Sequence, residues 1–74
     1  MSGRIRDGAE IRRMRLQILL EIIENHSELS ELKIKGLFML KTGLTSRKIE
    51  EYFVDLENVD QIERKDEKVF LLNV

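Results

Sequence analysis

The chain has 74 residues, no cysteine, and 13 Lys and Arg against 14 Asp and Glu, for a net charge of −1. That length suits one small domain that buries only about 60% of its unfolded surface, too small for a roomy catalytic cleft and without cysteine for disulfides or a thiolate metal site. No apolar run approaches the roughly 18 residues that span a bilayer and the first ten residues lack the apolar core of a signal peptide, so no membrane association and a cytoplasmic location are expected.

The net charge alone argues against a nucleic-acid partner, but its distribution does not. Residues 1–15 carry Arg4, Arg6, Arg12, Arg13 and Arg15 against Asp7 and Glu10. Residues 33–48 carry Lys33, Lys35, Lys41, Arg47 and Lys48 and no acid, whereas residues 50–67 are dominated by acids with only Arg64 and Lys65 among them. Segregation of this kind sets the local potential more than the sum does.

Residues 1–7 read as a disordered basic arm, because Gly3 and the absence of an apolar pattern give it nothing to pack. Arg4 and Arg6 there are candidates for phosphate contact. The folded domain is expected over residues 8–74, with a first helix over about 8–25. Asp7 and Glu10 have capping-box spacing. Ile11, Met14, Ile18, Leu19 and Ile22 share one helical stripe, and Leu16, Leu20 and Ile23 continue it round the other side. One packing face needs only about 100° of apolar surface. The excess assigns Leu16, Leu20 and Ile23 to a homodimer interface, unless the strands and chain ends cover them.

Asn25, His26 and Ser27 break the helix. His26, the only histidine, has no second His or Cys to make a metal site and no triad partners, so no metal, cofactor or catalytic role is assigned to it. Ser27 or Ser30 starts a second helix, expected over about 30–42. Leu32, Gly36, Leu37, Met39 and Leu40 are expected on its inner face. Ile34 and Phe38 point nearly opposite, as a second patch that meets either the rest of the fold or a partner.

The stretch TGLTSRKIEEYFVDL (42–56) carries the organising signal. Gly43 can take the positive φ that ends a helix. Leu44 is an apolar plug, and Thr45 or Ser46 can cap a third helix over about 45–56. Ile49, Phe53 and Leu56 make its buried stripe, with Arg47 and Lys48 outside it. After a polar link with Val59 tucked inward, residues 61–73 read as a hairpin, with Ile62 inward, Arg64 outward, and Lys65 to Lys68 at its tip.

This helix, helix, turn, helix, hairpin order resembles the winged helix-turn-helix family, especially the small transcription regulators of archaea and bacteria. The stretch TGLTSRKIEEYFVDLENVDQIER and the VFLL strand carry the resemblance. It implies a mainly α fold of three helices with a small β-hairpin wing. It also implies a third helix that reads the major groove of double-stranded DNA and a wing that touches its backbone. Transferred to this sequence, those roles fall on Thr45, Ser46, Arg47 and Lys48 of the helix, and on Arg64, Lys65 and Lys68 of the wing. The wing tip and the end of the third helix depart from the pattern in being acidic. They leave room for a second use of the fold, a protein-interaction module docking on a larger replication or transcription complex through Ile34, Phe38 and the apolar back of the first helix. An enzyme is not expected: GxxxxGK[ST] is absent, and the adjacent Glu50 and Glu51 diverge on their helix.

Overall fold

Three residues set the boundaries of the second and third helices in the computed structural model, which describes residues 3–72, with side chains from Gly8 onward. Ser30 and Thr45 both have extended backbone and accept a hydrogen bond from the amide three residues on, Lys33 N and Lys48 N, which starts α2 (Glu31–Thr42) and α3 (Ser46–Asn58). Gly43, at φ 74°, ends α2 by donating its amide to the Met39 carbonyl. The turn between the two helices is therefore only Gly43, Leu44 and Thr45, and Leu44 packs half-buried against the core.

Before them, α1 runs Gly3–Asn25. Its start precedes the expected one near Gly8, so Asp7 lies within the helix and not at its cap. The expected basic arm, with Arg4 and Arg6, falls on residues whose side chains lie outside those described. After α3 come β1 (Ile62–Lys65) and β2 (Lys68–Leu71), antiparallel, pairing Ile62 with Leu71 and Lys65 with Lys68. Asp66 and Glu67 form a two-residue tip at φ 54° and 64°, the positive values that a type I′ turn requires and that match the strands' twist. Ser30 bridges to Lys68 on the other edge of β2, and the Glu31 amide donates to the Glu67 carbonyl at 2.7 Å. The hairpin is thereby tied to the N-terminus of α2. The protein is mainly helical, with the three-helix and hairpin topology of a winged helix-turn-helix.

The core draws on every element: Leu19, Ile22 and Ile23 from α1, Ile34 and Phe38 from α2, Ile49, Tyr52, Phe53 and Leu56 from α3, and Ile62 and Val69 from the strands. The Phe38 and Tyr52 rings meet at 5.8 Å in a tilted arrangement. The stripe Ile49, Phe53 and Leu56 is buried as its spacing predicts, and Tyr52, absent from that stripe, is buried beside it.

Several placements differ from those the sequence suggests. Ile34 and Phe38 are fully buried, whereas Leu32 and Leu40 are 79% and 84% exposed. The helix is apolar on both faces, so periodicity alone does not choose between them. The face that turns inward carries the larger Phe38 and branched Ile34, and its edge residues Glu31 and Lys35 reach an ion cluster with α3 and β1. The other face has Gly36 at its centre and fills less volume. Ile34 and Phe38 are thus not an interface in the single chain.

The same holds for the second side of α1. Ile23 is buried, and Leu16 and Leu20 pack partly buried against the core because β2 lies along that side, with Leu20 beside Gln61 and Leu71. The hairpin thus covers part of the side that the sequence leaves open between strands and a second copy. Val59 is 61% exposed, since it caps the C-terminal end of α3 in the turn and does not tuck inward.

Candidate nucleic-acid interface

The short turn delivers the first residues of α3 to the surface. Thr45 is held by its capping bond to the Lys48 amide at 3.2 Å, and Thr45, Ser46, Arg47 and Lys48 are all exposed. Behind the turn, the Thr42 hydroxyl donates to the Phe38 carbonyl at 2.7 Å and accepts from the Leu44 amide at 3.3 Å, which fixes the approach of the two helices. The N-terminal end of α3, with its partial positive charge, therefore faces solvent among cationic side chains.

The acids farther along α3 are each matched by a cation. Glu51 pairs with Lys48 at 3.3 Å, and Asp55 pairs with Arg12 of α1, whose guanidinium also lies 4.8 Å from the centre of the Tyr52 ring. Glu50 turns the other way, toward α2 and the hairpin. Among the described residues, no ion pair involves Arg47, Lys65 or Lys68.

Arg64 does not join this surface. Residues of a strand alternate between faces, so Arg64 shares the inward face of Ile62 two positions before it. Its guanidinium donates to Glu31 at 2.9 Å, to both oxygens of Glu50 at 3.0 and 2.9 Å, and to Glu57 at 2.6 Å, while lying 5.5 Å from the Phe53 ring centre. Lys35 completes the cluster, donating to Glu50 at 2.7 Å and pairing with Glu31 at 2.9 Å. The fork of Arg64 thus clasps α2, α3 and β1 together, and with both terminal nitrogens engaged by three carboxylates it has no fork left to offer a phosphate.

Hydrogen bonds from Arg64 and then Lys35 hold the Glu50 carboxyl down at about 2. The hydrogen bonds that Arg64 donates to Glu57 and Glu50 raise it further above its already high value. Glu31 is lowered although burial opposes it most strongly, because Lys35 and Arg64 together outweigh that penalty. Lys35 is raised for the mirror reason, with burial overcome by Glu50 and Glu31. The sequence contains no local spacing that announces this clasp, since Glu31 and Arg64 are 33 positions apart. The one usable signal is the period-two alternation that places Arg64 on the face of Ile62.

Lys65 and Lys68 sit exposed at the hairpin tip, directly opposite one another across the strands. The tip is fastened to Ser30 and Glu31 at the start of α2, whereas Thr45 to Lys48 follow its end. The structure therefore brings the two cationic groups to opposite ends of α2, a helix about 18 Å long at 1.5 Å per residue. Among the described residues, no group of three or more His, Cys, Asp or Glu is placed to hold a metal ion, and no helix is long and apolar enough to cross a membrane.

No family model, curated protein or solved structure matches this chain.

Proposed function

We propose that this chain binds double-stranded DNA in the manner of a winged helix-turn-helix and acts as a transcription regulator. The supporting observation is the first turn of α3: a Thr45-capped helix end facing solvent with Ser46, Arg47 and Lys48, while Glu50 and Asp55 are engaged by cations of other elements and Glu51 pairs with Lys48 itself. In this reading Arg47 and Lys48 enter the major groove or reach its phosphates, and Thr45 and Ser46 position the helix on the backbone. Lys65 and Lys68, about 18 Å away along α2, reach phosphates across a groove about 12 Å wide. Arg64 is left out, because it holds the wing to the helices.

Fluorescence anisotropy of a labelled random-sequence duplex, titrated with protein at rising salt, tests the reading. Four cations on phosphates give a log–log slope of about −3 to −4, and replacing Arg47 and Lys48 by Ala lowers its magnitude by about 2. Absence of binding at low salt, or a double variant that binds like the parent, overturns it.

A further inference from the structure

The outer face of α2 is the surface that one copy of the chain leaves least explained. Leu32, Gly36 and Leu40 recur at four-residue intervals and lie on one line of the helix, opposite the buried Ile34 and Phe38. Met39 borders them and is also exposed. Nothing lies within 4 Å of a Cβ built on Gly36, so the gap between the two leucines is open from outside. Helices that are apolar all round are covered on every side in folded proteins, and an exposed line of two leucines about a glycine is shaped to receive another helix.

The neighbouring side of α1 has the matching chemistry. Met14 and Ile18 line a shallow groove with Glu10, Arg13 and Glu21; Ile18 and Glu21 also line a second groove that ends at Lys41 of α2. The α1 flank thus reaches the end of α2 that carries Leu40 and Lys41. The charges around the two faces are unlike: Glu10 and Glu21 outnumber Arg13 along the α1 groove, and Lys33, Lys35 and Lys41 of α2 outnumber Glu31 and Glu67 beside Leu32. Stacking α2 on the α2 of another copy would bring Lys33 and Lys41 toward their own kind, which disfavours that pairing. Stacking α2 on the α1 flank of another copy brings them to Glu21. The α2 line alone is one helix wide, short of the roughly 800 Å² per partner that a standard interface buries, and the α1 flank extends it.

We propose that a second copy of this chain covers this surface in a two-fold dimer, the Leu32–Gly36–Leu40 line of each copy packing on the Met14–Ile18 flank of the other. Such an interface is isologous, so both contacts form at once. It differs from pairing through Leu16, Leu20 and Ile23, which pack wholly or partly into the core of one copy, and it does not depend on DNA binding.

Sedimentation velocity of the full chain without DNA, over a range of protein and salt concentrations, provides the test. The parent dimerises, and rising salt weakens it because the flanking charges attract. Leu40→Glu and Gly36→Gln each weaken association by about tenfold or more, with unchanged circular dichroism, since both side chains point into solvent in one copy. Glu21→Lys also weakens it, and adding Lys33→Glu and Lys41→Glu restores it. A parent that stays monomeric at low salt, or a dimer indifferent to Leu40→Glu, overturns the proposal. A dimer sensitive to Leu40→Glu but indifferent to Glu21→Lys overturns the α1 flank as the partner surface.

Discussion

Replacing Arg64 by Met separates a structural arginine from a DNA-contacting one. The substitution keeps most of the side-chain volume against Phe53 and removes four hydrogen bonds to Glu31, Glu50 and Glu57. Glu31 and Glu50 then keep only Lys35, and Glu57 loses its cation. Breaking a fully buried ion pair costs about 3–5 kcal/mol, and an exposed one about 0–1 kcal/mol. The Arg64 side chain is 19% exposed and its partners 22–43%, which places the loss between these limits, at about 2 kcal/mol.

A domain of this length has a total stability of about 4–11 kcal/mol, so the effect is large. With a urea dependence of about 1 kcal/mol/M for so small a chain, the midpoint falls by about 2 M. The measurement is urea denaturation at neutral pH and one fixed protein concentration, which keeps any self-association constant. A cycle with Glu50→Gln isolates the bidentate contact, and a coupling of about 1 kcal/mol is expected for a charge-assisted pair. An unchanged midpoint or zero coupling refutes the clasp. Below the unfolding transition, Arg64→Met leaves the salt slope of DNA binding unchanged, whereas Lys65→Ala lowers it.

Three further outcomes follow from the same packing. Phe38→Ala removes a fully buried ring from the contact with Tyr52 and costs about 3–5 kcal/mol, visible as a large fall in thermal midpoint; a variant that melts like the parent would place Phe38 outside the core. Thr45→Ala deletes the cap of α3 and costs about 1 kcal/mol in urea denaturation, and an unchanged midpoint would refute the capping bond. Acid weakens the fold in a defined window: the folded Glu50 is held at about 2 against an ordinary 4.5, so the folded state binds fewer protons there than the unfolded chain. Its contribution is complete above about 4.5 and is lost as pH falls toward 2, and Glu50→Gln flattens that part of a pH series of urea midpoints.

The elements were legible where one local rule sufficed. Gly43 announces the end of α2 by residue type, each cap is narrowed to two candidates of which Ser30 and Thr45 take the role, and the stripe Ile49, Phe53 and Leu56 has one face to bury. α2 was not legible, because Leu32, Gly36 and Leu40 spell a helical face as well as Ile34 and Phe38 do. The choice depends on which face fits α1 and α3 and carries Glu31 and Lys35 to Arg64, a tertiary matter. Arg64 was misplaced because its charge suggested an outward wing contact, whereas its register with Ile62 determines its face. Of the candidate DNA contacts, Thr45 to Lys48 and Lys65 and Lys68 lie at the surface as expected, but at the two ends of α2 and not in one cluster.

The ion pairs change what a net charge of −1 means for this surface. Glu31, Glu50 and Glu57 are engaged by Arg64 and Lys35, Asp55 by Arg12, and Glu51 by Lys48. Much of the acidity that opposes an anionic partner in the sequence is thus neutralised within the fold, at sites set back from the start of α3. The cations outside those pairs divide into groups with different neighbours. Arg47 borders a shallow groove with Glu50, Glu51, Val54 and Asp55, whose carboxylates are held by other cations, and Lys65 and Lys68 flank Asp66 and Glu67 at the hairpin tip. Lys33 and Lys41 stand beside Leu32 and Leu40, where an ammonium on an apolar stem can border a protein interface. Salt screens both groups alike, so its effect alone does not assign either partner. Substitution does: loss of Arg47 acts on DNA and spares the dimer, and loss of Leu40 acts on the dimer and, under conditions where the chain is monomeric, spares the DNA.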